Sequence, residues 1–301
     1  MPFYRHPTSH RNPGHLLWDD FMALYTLLDI FDRENDPLYL VHMIRPSTFE
    51  FEEEIPEFDV ADKFLPLMGK HNYNVTIEMG YSLKFEEPSL FKPGDDRLIC
   101  ADHGLSGSGL FADHGSQKWH GQTKKDREGT PTNLGRGGLF RRYRRFLMKN
   151  LGVSPDNQIK RKPKYQIIVS QNSSTKGTRG NVTFSDHIEA LSSLKSRVDV
   201  RPVNITKMNL LDQIEMTSTA AFFISTVGGG SSTAMFLPKG AHLLLFYRPM
   251  QPLDWDFWNN FPWVKVHWLP LWRDKNGTMV DPMLDDFLKL IVAELNELDA
   301  N

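Results

Sequence analysis

The chain has 301 residues, 40% of them hydrophobic and 24% charged, which is enough to bury the core of one large or two smaller α/β domains. A net charge of −2 provides no basic field and argues against nucleic acid or an anionic membrane as principal partner. The lone Cys100 excludes an internal disulfide and a cysteine-based zinc site, and no run approaches the ~20 apolar residues of a membrane span.

The first residues, 1–14, are polar and broken by proline, without the apolar core of a secretory signal. Sequons at Asn74, Asn172, Asn181, Asn204 and Asn276 point the other way, towards a secretory history. Leu17, Phe21, Leu24 and Leu28 then recur at helical spacing, predicting an amphipathic helix entered through a Pro-Gly turn. Asn12 and His15 stand at its mouth, with Asp19 one turn on. Such a mouth either binds a hydroxyl and takes its proton, or is a cap with a solvated pair of aspartates, Asp19 and Asp20.

A strand is expected over 37–44, followed by a solvated acidic connection at 49–59 and a short helix over 62–70. Further strands are expected over 74–81 and 97–101. Residues 102–138 are rich in Gly, Ser, Lys and Asp, and Ala-Asp-His-Gly occurs twice, at 101–104 and 112–115. His103, His114 and His120 lack any supporting ligand pattern, and a loop is the simpler reading. Residues 138–152 form a helix with an apolar stripe of Leu139, Tyr143, Phe146 and Leu147 and a glycine cap at Gly152. Arg141, Arg142, Arg144 and Arg145 line the rest of it, one of them a candidate for a phosphate. Residues 156–163 read as a polar linker.

The second half alternates strand and helix: strands over 165–170, 198–205, 221–224, 241–247 and 264–269, and helices over 183–195 and 210–218. Thr183 or Ser185 is the expected cap of the first helix, and Asp281-Pro282 opens a last one over 283–298. This order predicts a parallel sheet whose crevice lies at the carboxyl ends of the strands, where both Ser170 and the Gly228-Gly229-Gly230 turn emerge. Glycines there turn amides outward, and a helix start at 231–236 adds its dipole, which suits an anion. The Asp-x-Asp at 254–256 reads as a helix start with inward tryptophans rather than as a metal motif.

Two stretches together resemble glycosyltransferase family 61, an inverting family. Asn12-x-x-His15-x-x-x-Asp19-Asp20 is similar to its entry motif, and 224–241 to its glycine-loop signature, with Val227 at the usual His, Ser231 at Leu and Thr233 at Asn. The resemblance implies a GT-B-like α/β fold, two Rossmann-like halves with a cleft between them and a C-terminal helix packing back. The corresponding domains are an acceptor-side domain at 1–155, a nucleotide-sugar domain at 156–280 and the last helix at 281–301.

Under the resemblance, Asp19 is the base with His15, while Asn12 and Asp20 bind the acceptor. The donor diphosphate meets Ser170, Gly228, Gly229, Gly230, Ser231, Ser232 and Thr233, with Arg144 or Lys239 as cations. A UDP-sugar is the donor, a glycan or glycoprotein the acceptor, and neither a metal nor another cofactor is expected. It further implies the Golgi or ER lumen and a chain shortened at its N-terminus. The alternative is a relative that binds nucleotide or glycan without turnover.

Overall fold

The computed structural model describes residues 2–4, 13–36, 39–44, 63–69, 71–77, 83–85, 136–161, 163–171, 182–247, 258, 261–272 and 281–300. Two compact units result: residues 1–132 with 149–152, and residues 133–148 with 153–301. The division falls before position 155, and most of the arginine-bearing helix belongs to the C-terminal unit.

The N-terminal unit carries a four-stranded sheet of β1 (Pro2–Tyr4), β2 (Tyr39–Ile44), β3 (His71–Ile77) and β4 (Leu83–Phe85), in that order. The first three are parallel and β4 is antiparallel to β3. β1 was not expected, because three residues are too few to show a period. The expected amphipathic helix is present in three parts: α1 (Pro13–His15), a wide π-helical turn over Leu16–Phe21, and α2 (Met22–Ile30). Leu17, Phe21, Leu24 and Leu28 are buried as their spacing requires, together with Leu16, Trp18, Met22 and Tyr25. The helix ends as Asp32 adopts φ 54° and the Arg33 amide donates back to the Leu28 carbonyl at 2.8 Å, a left-handed cap that Asp tolerates. The short helix expected over 62–70 is a 3-10 turn at Leu65–Met68. The expected strand at 97–101, the histidines of 102–138, the Asp-x-Asp at 254–256 and three of the sequons, Asn172, Asn181 and Asn276, lie outside the described residues.

The C-terminal unit holds α3 (Gly137–Asn150, whose last two residues cluster with the N-terminal unit), β5 (Tyr165–Ser170) and α4 (Ser185–Leu191). It continues with β6 (Val198–Val203), α5 (Leu210–Thr217), β7 (Phe222–Thr226), β8 (Ala241–Tyr247), β9 (Val264–Pro270) and α6 (Leu284–Ala300). Its five strands run in the order β6-β5-β7-β8-β9, every neighbouring pair parallel. Counted within the unit, this is the doubly wound order 2-1-3-4-5. β5 and β7 are buried along their whole length, which is why each carries a consecutive apolar stretch, Ile167 to Val169 and Phe222 to Ile224.

α6 packs back onto one face of this sheet. Phe287, Ile291, Leu295 and Leu298 are its buried stripe. Asp281 caps it, one carboxylate oxygen accepting the Met283 amide at 2.8 Å while the other accepts from His187 Nε2 on α4 at 2.8 Å. His187 is fully buried between Phe184, Phe246 and Phe287, and burial lowers its pKa against the pull of Asp281. At the far end of α6, Asp299 accepts from Tyr165 and Arg197. The start of α4 departs from expectation. Phe184, at φ 54°, holds the cap position, and the Thr183 and Ser185 hydroxyls bond to each other at 2.9 Å instead of capping. Among the described residues, no helix is long and apolar enough to cross a membrane.

Candidate functional site

In a doubly wound sheet the ligand crevice opens where the strand order reverses, here between the carboxyl ends of β5 and β7. β5 ends at Ser170, and β7 leads into the glycine turn. The buried Ser170 hydroxyl donates to the Gly230 carbonyl at 3.4 Å, so the two expected donor-site stretches are brought together.

Gly228 has φ 135° and ψ −166°, a region that essentially only glycine enters. This sharp corner starts the 3-10 helix Gly229–Phe236 immediately above the strand end. The first donor in its ladder is the Ser231 amide, bonded to the Gly228 carbonyl at 2.9 Å, so the Gly229 and Gly230 amides precede the ladder. Gly228 and Gly229 are half-buried and Gly230 is buried.

The hydroxyls behave differently from expectation. Ser231 donates to the Gly228 carbonyl and Ser232 to the Gly229 carbonyl, each at 2.7 Å, and both side chains are buried. A serine has one proton, so these two spend it inside the turn and cannot also donate it to a ligand. Thr233 is the exception: its buried Oγ1 has no hydrogen-bond partner among the described residues. Val227 is buried, and its amide bonds the Phe246 carbonyl at 3.0 Å.

Neither expected cation reaches the turn's opening. Arg144 is 5% exposed, its guanidinium donating to the Pro155 carbonyl at 2.7 Å and to the Phe236 carbonyl at 2.9 Å. Phe236 is the last residue of the 3-10 helix, so Arg144 caps its far end, where a cation meets the negative pole. Burial, then the like charge of Arg141, pushes its pKa down to about 10, and it stays charged at neutral pH. Arg141, Arg142 and Arg145 are exposed, Arg145 paired with Asp156. Lys239 is also exposed, and it precedes Ala241, the first residue of β8. That is the amino edge of a parallel sheet, opposite the edge that carries Gly228.

On the N-terminal unit, Asn12 lies outside the described residues, as do the side chains of His15 and Asp19. Asp19 and Asp20 sit in the π-helical turn, a wide form of helix found frequently at functional sites, and Asp20 is buried.

A second polar cluster, absent from the sequence expectations, is formed by His242 on β8, His267 on β9 and Glu294 on α6. Its signal was present: His242 interrupts an otherwise apolar strand, 241–247. Burial, aided by His267 and Lys265, pushes the His242 pKa down to about 3, and burial lowers His267 against the attraction of Glu294. Both imidazoles are therefore neutral at neutral pH. No family model matches the chain, and no curated protein matches it.

Proposed function

We propose that the chain is an inverting glycosyltransferase of the GT-B plan. It moves a sugar, GlcNAc or a pentose such as xylose, from a UDP-sugar to a hydroxyl of a protein or polysaccharide. The observation that carries this reading is the glycine turn at the reversal point of the 2-1-3-4-5 sheet, with Gly228 in glycine-only backbone and the Gly229 and Gly230 amides ahead of the helix ladder.

In this reading the Asp19 carboxylate takes the acceptor proton as the acceptor oxygen attacks the anomeric carbon. The bond from that carbon to the diphosphate oxygen breaks, and UDP leaves with the electron pair. His15, Asn12 and Asp20 orient the acceptor. Gly229 and Gly230 amides, with the Thr233 hydroxyl, stabilise the leaving diphosphate without a metal, while Ser170, whose proton goes to the Gly230 carbonyl, braces the turn. A Golgi or ER lumen location belongs to the same reading.

The test is UDP release from a panel of UDP-sugars offered with hydroxyl acceptors. At least one sugar should be turned over, with Asp19→Ala slowing release by about 100-fold or more and EDTA leaving it unchanged. Loss of turnover in EDTA with recovery on manganese would contradict metal independence.

A second reading, nucleotide binding without turnover, is favoured by the Ser231 and Ser232 hydroxyls being engaged within the turn. UDP binding with no release from any sugar would support it.

A further inference from the structure

His242 is the second residue of β8 and His267 the fourth of β9. The strands pair in register with His242 opposite Lys265 and Leu244 opposite His267, so both histidines lie on one face, near the amino half of the strands. α6 covers that face and brings Glu294 to them. His242 is fully buried and its ring is fixed by stacking on Phe222, with centroids 4.8 Å apart.

Two ring nitrogens and a carboxylate converge there. His242 Nδ1 lies 3.3 Å from His267 Nε2 and 3.4 Å from Glu294 Oε2, and His267 Nε2 lies 3.7 Å from Glu294 Oε1. These separations are long for hydrogen bonds, which favour about 2.9–3.0 Å for a ring N–H donor. The two separations from His242 Nδ1, 3.3 and 3.4 Å, match the edges of a tetrahedron around an ion with ligands at about 2.0–2.2 Å, edges of roughly 3.3–3.6 Å, and a small turn of the Glu294 carboxylate presents one oxygen to both rings. Proton counting leads to the same place. A neutral imidazole offers one N–H, so His242 Nδ1 cannot donate to both His267 and Glu294, and the contact between His267 and Glu294 is too long for a second bond. A cation satisfies both imidazoles and the carboxylate at once.

We propose that His242, His267 and Glu294 bind one Zn2+ or similar borderline divalent ion, which clamps α6 to β8 and β9. Two imidazoles and a carboxylate are a donor set that zinc accepts, with the fourth position left to water. His267 and Glu294 are 18% and 15% exposed, so an ion can enter from solvent. The neighbouring cation is Lys265, 3.3 Å from Glu294 Oε2. It competes for that oxygen and has a second carboxylate, Glu297, at 2.5 Å to hold it when the ion is bound. The site lies at the amino end of β8 and the middle of β9, away from the glycine turn, and is independent of the proposed transfer reaction.

The experiment uses the full chain without a histidine tag, stripped with EDTA and desalted, then titrated with Zn2+ by calorimetry and with Co2+ by visible absorption. One equivalent of Zn2+ should bind, Co2+ should give the d–d bands of a four-coordinate site, and the melting temperature should rise by about 5 °C or more at a hundredfold excess over Kd. His267→Gln and Glu294→Gln, at partly exposed positions and chosen to keep the fold, should each weaken binding at least tenfold. Lys265→Met should tighten it, because a competing cation is gone. A folded protein with no stoichiometric Zn2+ uptake, or uptake that ignores both Gln variants, would overturn the proposal and leave the three residues as a hydrogen-bonded network.

Discussion

The Ser170 hydroxyl donates to the Gly230 carbonyl at 3.4 Å, joining the carboxyl ends of β5 and β7 where the strand order of the sheet reverses. One bond thus fixes the two stretches that any ligand in the crevice would meet.

The corner at Gly228 sets the first prediction. Its φ of 135° with ψ of −166° is closed to residues with a Cβ, at a cost of about 1–3 kcal/mol. Gly228→Ala should lower the melting temperature by about 3–10 °C and weaken UDP binding. Gly152→Ala serves as comparison: its φ of 73° is the milder left-handed region, so thermal denaturation should show a smaller loss and UDP affinity should not change.

Arg144 separates a structural arginine from surface ones. Arg144→Ala strands the Pro155 and Phe236 carbonyls that it bonds, and should cost about 3–5 kcal/mol in denaturant unfolding. Arg145→Ala breaks only an exposed pair with Asp156 and should cost less than about 1 kcal/mol. Equal effects would contradict the assigned roles.

Acid should destabilise the C-terminal unit through its neutral histidines. Burial lowers the His187 pKa below its value of about 6.5 in the unfolded chain, so the unfolded state binds more protons below that pH. Its contribution is fully present above about pH 6.5 and is lost as pH falls towards the folded pKa. His187→Gln keeps a donor for Asp281 and cannot titrate. The melting temperature measured between about pH 7 and pH 5 should therefore fall less in this variant. His242 and His267 carry the same sign, so the flattening will be partial.

Metal removal should divide stability from turnover. The three-ligand cluster lies at the amino end of β8 and the middle of β9, and the glycine turn at the carboxyl end of β7. EDTA is expected to lower the melting temperature while the rate of UDP release at 25 °C stays unchanged.

The strands of the C-terminal unit were legible because a parallel sheet covered on both faces leaves largely apolar runs. Residues 165–170 and 241–247 are strands over the same span as expected. The last helix was legible from Asp281-Pro282 at its start, and Asp281 caps it. Strand order was not, since no local pattern records which strands pair across a crossover.

The side-chain partners in the site were legible least. Ser231 and Ser232 look like ligand donors until the 3-10 geometry brings the Gly228 and Gly229 carbonyls within 2.7 Å of them. Among four arginines in five positions, the helical turn buries Arg144 alone. Lys239 follows the glycine turn closely in sequence, yet the intervening 3-10 helix leads to the opposite sheet edge.

The central claim is that the turn after β7 holds a nucleotide diphosphate. The direct measurement is a calorimetric titration of the full chain with UDP and, in parallel, with uridine. The account predicts that UDP binds at least about tenfold more tightly, since the diphosphate adds charge-assisted bonds to the turn's amides. UDP binding no tighter than uridine, or no binding of either, would contradict it.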